Sequence, residues 1–171
     1  MRRFILVLTA WATMILTIER LPKAPYSLPD EKLALKPLTT PIPKENILDQ
    51  TTGALYFFHQ HREGEDGHFH TFVKKATGYH HLVAIGFIDK KPSKLFTTEE
   101  WVTGEHRLSA DMTIALLDNF TFADDDPTSC YLQELIQELK PQIAKLLHAR
   151  DAQLANKRFG RFEIITSLEL H

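Results

Sequence analysis

A single cysteine, Cys130, stands in the 171 residues, which excludes an internal disulfide and any zinc module built on thiolates. Basic excess is missing too. Lys and Arg total 20 against 22 Asp and Glu, so the chain offers no broad cationic surface for a phosphate backbone, and nucleic acid is not expected as a partner. There is no internal repeat, no low-complexity tract and no lipobox cysteine. Any metal ligands must therefore be histidines and carboxylates. What remains, 43% hydrophobic and 25% charged residues, describes one ordinary globular domain able to bury a core without covalent staples.

The chain divides into three stretches. Met1-Arg2-Arg3 followed by the uncharged run Phe4 to Ile18 resembles a secretory signal or signal-anchor, so residues 1–20 are read as an export or inner-membrane-anchoring segment. That run is short for a full ~30 Å crossing, and a buried N-terminal helix with a cytoplasmic location is the alternative. Pro22, Pro25, Pro29, Pro37, Pro41 and Pro43 prevent a continuous helix or central strand, making 21–52 an extended linker. Residues 53–171 are then a single α+β domain. Strands are predicted at Ala54 to His61, His68 to Lys75, His81 to Ile88 and, shorter, Lys94 to Thr97, with a last edge strand at Phe162 to Leu168. This gives an antiparallel meander of about four or five strands packed against C-terminal helices.

The second half changes period. Ser109 to Phe120 is helix-compatible, with Met112, Ala115 and Leu116 on one stripe, and Thr98 to Trp101 reads as a capped helical turn. Asp124-Asp125-Asp126-Pro127 is a strong helix start. The following stripe runs through Leu132, Leu135, Ile136, Leu139, Ile143, Leu146, Leu147 and Leu154, and Pro141 is expected to kink or divide it.

Between Phe57 and His70 lie four histidines in two His-x-His pairs, His59 with His61 and His68 with His70, flanking a loop rich in glycine and acids. Alternate residues of a strand share a face, so a hairpin brings all four imidazoles to one side. The simplest register sets His61 opposite His68, His59 opposite His70 and Phe57 opposite Phe72. Continuing the meander places Val83, Ile85 and Phe87 beside Phe72, His70 and His68, so that the imidazoles form the polar end of an apolar pocket. Four such rings would repel one another if protonated and need several partners if neutral. A divalent cation resolves both problems, and imidazole ligands suit Zn, Cu, Ni or Fe. A metal-free polar cleft and a solvated hairpin are the alternatives.

Acids near the cluster are candidates for chemistry. Glu65 is the preferred carboxylate, as ligand or as base for a metal-bound water, against a solvated turn acid. Glu105 and His106, after the turn Trp101 to Gly104, are candidates to support the site, or else decorate the surface. Arg150 falls on the apolar stripe and needs a carboxylate, Glu105 or Asp151, with anion binding as the second reading. His81 begins a strand and reads as ordinary, or else as facing the cluster. The spacing Gly53-x5-His59-x-His61-x3-Glu65 resembles half of the cupin metal motif, but the expected glycine is displaced and no second motif follows.

The blocks His59 to His70, Leu82 to Ile85, Leu95 to Thr98, Trp101 to Glu105 and Arg150-Asp151 together resemble an uncharacterised bacterial family, domain of unknown function 6969, over about Gly53 to Ala155. The resemblance implies that these segments build one shared site or core and supplies no activity. Members of that family carry a helical N-terminal segment where this chain has its apolar start and proline-rich stretch.

The leading expectation is an exported or membrane-anchored metal-binding domain. With an open coordination position it would be a metal-dependent hydrolase or oxygenase acting on a small molecule, with Glu65 and Glu105 as acid or base. The alternative is a non-catalytic metal-binding or pH-sensing module, or a module that binds a partner. Membrane contact is expected only through the N-terminal segment.

Overall fold

A computed structural model describes residues 46–60, 62–156 and 163–170; the apolar start, the linker up to residue 45 and His61 lie outside them. The domain is α+β, with one six-stranded antiparallel sheet in chain order: β1 (Ile47–Leu48), β2 (Ala54–His59), β3 (Gly67–Lys75), β4 (Gly78–Ile88), β5 (Lys91–Thr98) and β6 (Ile164–Glu169). Between β5 and β6 come α1 (Glu100–Thr103), α2 (Ala110–Leu116), a 3-10 turn (Leu117–Asn119), α3 (Pro127–Glu138) and α4 (Lys140–Ala155). The strand beyond the expected count is β1, inside the stretch read as linker. Two residues are too few to show alternation, and they become a strand only by pairing with the edge of β2.

Capping and proline set the helix ends. Asp126 accepts from the amides of Thr128 and Ser129, and Pro127 opens α3. Pro141 divides rather than kinks the long apolar segment, because its ring is tolerated only in a first helical turn, and α4 restarts there. The stripe from Leu132 through Leu147 is buried as expected. In α2 the expected stripe is rotated: Ala110 and Thr113 face inward and Met112 is 56% exposed. Ser109 caps the helix and Leu117 is buried beyond it, so the face is set by Ala110, Thr113 and Leu117 rather than by Met112.

Those helices close one face of the sheet. Tyr56, Phe58, Phe69, Val83, Ile85, Phe87 and Leu95 pack with Leu132, Leu135, Ile136, Ile143 and Leu147 in a single core. Burying a side chain of this size contributes roughly 1.5–3 kcal/mol. On the other face Leu55, Phe57 and Phe72 form a smaller apolar group. The histidines belong to that second face.

This corrects the expected arrangement of β4. The β3–β4 hairpin closes at Lys75↔Gly78, and its first pairs run to Phe72↔His81; the ladder then skips Leu82 and resumes at Thr71↔Val83. One extra residue reverses the parity of everything beyond it. Val83, Ile85 and Phe87 therefore turn to the helix side, while Ala84 and Gly86 lie opposite His70 and His68. The bulge lets one strand feed bulky apolar groups to the core at one end and an imidazole to the opposite face at the other.

Candidate metal centre

Strands β2 and β3 pair as His59↔His68, Phe57↔His70 and Leu55↔Phe72, two residues away from the simplest register. A shift of two keeps every side chain on its face, so the convergence of imidazoles survives, but His59 rather than His61 stands opposite His68. Gly67 makes this pairing possible. Its φ is +146°, and a β-carbon there would fall 2.1 Å from Phe58 Cζ and 2.6 Å from the His59 carbonyl oxygen.

The rings of His59, His68 and His70 have centroids 5.0 to 5.8 Å apart and lie nearly perpendicular to one another. One nitrogen from each comes within 4.8 Å of the other two. A tetrahedral site with bonds of ~2.0 to 2.1 Å separates its nitrogens by roughly 3.3 Å, so the three rings stand somewhat wider than a closed shell. The donor set fits a transition metal. His68 and His70 are 0% and 2% exposed, whereas His59 is half-buried at the strand end.

Aromatic groups enclose the triad. Phe57 lies 4.8 Å from the His59 ring and 5.1 Å from that of His70, and Phe96 lies 5.3 Å from His68 and 6.0 Å from His70. The Arg62 guanidinium sits 4.5 Å over the Phe96 ring and 3.4 Å from Glu163. In such surroundings an imidazolium is costly. Burial, then the neighbouring His68, His81, His59 and Arg62, hold His70 well below its ordinary value and keep it neutral, the form that ligates.

Each buried imidazole of the triad is backed by a further group. Glu65 Oε1 is 2.6 Å from His68 Nδ1, a contact in which a carboxylate accepts from the ring N–H and Nε2 is left as the bare nitrogen. Opposite His68, the absence of a side chain at Gly86 makes room for this carboxylate: a β-carbon there would stand 3.3 Å from Glu65 Oε2. The loop is tied down by Asp66, whose amide donates to the Phe87 carbonyl and whose carboxylate accepts from the Lys90 amide, both at 2.8 Å. His70 Nδ1 is 3.2 Å from His81 Nε2. Burial, then Arg150, Arg107 and His68, push His81 down to about 3.

Glu105 comes to His81 through the left-handed Gly104 that ends α1. Its Oε2 accepts from the His81 amide at 2.5 Å, and its Oε1 is 3.9 Å from His81 Nδ1. Burial raises Glu105 to about 7, against the opposing effects of the His81 amide, Arg107 and Arg150. Arg150 pairs with Asp151 through Nε and Nη2, at 2.9 and 2.8 Å, and donates to the Leu108 carbonyl at 2.7 Å. Asp151 in turn accepts from the Ala110 amide at the start of α2. His106 contributes its carbonyl oxygen, 2.8 Å from His80 Nδ1.

Glu65 and Glu105 thus lie behind the imidazoles rather than among the three nitrogens. Alternation along β4 gives His81 the parity of Val83, Ile85 and Phe87, the residues expected on this face; the bulge at Leu82, invisible in the sequence, leaves His81 there and turns the other three away. Phe96 and Arg62 also carry no local signal: each joins through the β4–β5 ladder or a ring contact across the sheet.

A family model described as Domain of unknown function (DUF6969) matches residues 37–164. The chain belongs to this family. The match covers the described residues of the candidate site, from His59 through Glu105, in agreement with the expected resemblance to this family. Neither the curated proteins nor the solved structures offer a significant match. Membership in DUF6969 brings a domain without an assigned activity, and the chemistry rests on the triad.

Proposed function

We propose that this DUF6969 domain binds one transition-metal ion, Zn, Cu, Ni or Fe, through His59, His68 and His70. The observation that carries this reading is the meeting of three imidazole nitrogens within 4.8 Å on a largely buried, aromatic-lined face. Three neutral nitrogen ligands suit a divalent transition metal better than Mg or Ca. Glu65 orients His68 from behind, as carboxylates do for metal-bound histidines.

A three-histidine site has a fourth position, and its occupant decides between two readings. If a small molecule or water takes it, the domain is a metal-dependent hydrolase or oxygenase. If His61 closes the shell, the domain is a metal-binding module without catalysis. Untagged protein is expected to retain about one equivalent of metal after dialysis and to lose it on His70→Ala. Retention by that variant would overturn the site. His61→Ala separates the readings: unchanged affinity supports an open position, and a large loss supports the closed shell.

We further propose export or inner-membrane anchoring, supported by the arginines at Arg2 and Arg3 followed by the uncharged run from Phe4 to Ile18. Among the described residues no helix is long and apolar enough to cross a membrane. A reporter fused after Arg20 is expected outside the cytosol, and a wholly cytosolic reporter would refute this.

A further inference from the structure

A neutral imidazole carries one ring proton, and only its bare nitrogen can bind a metal. For His70 the position of that proton depends on His81, because His70 Nδ1 and His81 Nε2 face each other at 3.2 Å and share a single hydrogen. If His70 donates, its Nε2 is bare and ready to ligate. If His81 donates, His70 accepts at Nδ1, carries its proton on Nε2 and cannot ligate through that atom.

The choice is made at the far side of His81. Its Nδ1 stands 3.9 Å from Glu105 Oε1, too long for a hydrogen bond but close for a charge in a buried setting. A carboxylate there favours the proton on Nδ1, which leaves His81 Nε2 bare, as an acceptor. Glu105 is held for this task by the His81 amide, which donates to Oε2; burial raises it to about 7 against the opposing effects of that amide, Arg107 and Arg150, so the carboxylate is the main form above that pH. His70, His81 and Glu105 are at most 9% exposed.

We propose that Glu105 and His81 are positioning residues that place the ring proton of His70 on Nδ1 and so select Nε2 as the nitrogen presented to the metal. This rests on the metal-binding reading above. It gives the two buried ligands different supports: His68 is set by a carboxylate directly, His70 by a carboxylate acting through a second imidazole.

The test reads ring tautomers and zinc affinity separately. In the metal-free full chain at pH 8.5, long-range proton–nitrogen spectra of ¹⁵N-labelled protein are expected to show both His70 and His81 protonated at Nδ1. A His70 protonated at Nε2 would overturn the proposal without any variant. Among variants that retain a cooperative unfolding transition, Glu105→Gln and His81→Phe are expected to weaken zinc binding by about 10- to 100-fold and to redistribute the His70 proton. His81→Gln, whose amide oxygen can still accept, is expected to keep both within a few-fold of wild type. Wild-type zinc affinity and tautomers in Glu105→Gln and His81→Phe would overturn the proposal. A wild type that binds no zinc yet shows the Nδ1 tautomers would instead sink the metal-binding reading.

Discussion

The two faces of this sheet are built from the same strands and solve opposite problems. On the helix-covered face, Phe58, Phe69, Val83, Ile85 and Phe87 meet leucines and isoleucines of α3 and α4, and the balance is apolar burial against chain entropy. On the other face, Phe57, Phe72 and Phe96 surround His59, His68, His70 and His81, so burial there works against every polar ring it encloses. The first face needs no partner beyond the helices. The second needs a specific proton arrangement, and it is served by two carboxylates held at its back. The main apolar core and the imidazole cluster are thus segregated by side-chain parity.

The sharpest break should come from the core face. Phe87→Ala removes a fully buried ring and is expected to cost ~3–5 kcal/mol in urea unfolding, by lost transfer energy plus a cavity. A loss below ~1 kcal/mol would mean the helix face is not the main core. Gly67→Ala should come next, at ~1–3 kcal/mol for the strained backbone, together with loss of metal retention because the His59↔His68 pairing cannot close. Preserved metal binding in that variant would separate register from site. Lys140→Ala, at an exposed pair with Asp118, should change stability by only about 0–1 kcal/mol.

Acid sharpens the comparison in metal-free protein, because the second face carries shifts of both signs. His70 and His81 titrate below 6.5 when folded, so the stability they contribute is present above pH 6.5 and is lost as pH falls below it. Glu105 is raised from 4.5 to about 7, so its contribution is full below pH 4.5 and is lost as pH rises through 7. In melting temperatures measured from pH 4 to 8, Glu105→Gln is expected to remove the decline toward pH 7 and leave the acid limb. An unchanged profile would mean that Glu105 does not ionise in the buried site.

Local patterns exposed much of this. Period-two spacing put His68 and His70 on one face with His59 across the hairpin, and the two-residue shift in register left that intact because parity is blind to even shifts. Asp126-Pro127 marked a helix start and Pro141 an interruption because their chemistry acts within one turn. Arg150, read as a cation needing Asp151 or Glu105, found Asp151 at its own helix end. The face of β4 differs from the expected one for a physical reason: whether a strand bulges depends on how both of its faces pack, and no window along the chain contains that information.

By itself, then, the sequence determined the α+β class, an interruption at Pro141, the family, and the shared face of His68 and His70, since these follow from periodicity, backbone chemistry and motif. Tertiary structure alone decided which histidines meet. It set His59 rather than His61 against His68, turned Val83, Ile85 and Phe87 into the core through the skipped Leu82, and carried Glu105 to His81 across 24 residues of chain. Register, bulge and long-range hydrogen bond are settled together, when two unlike faces of one sheet must be packed at once.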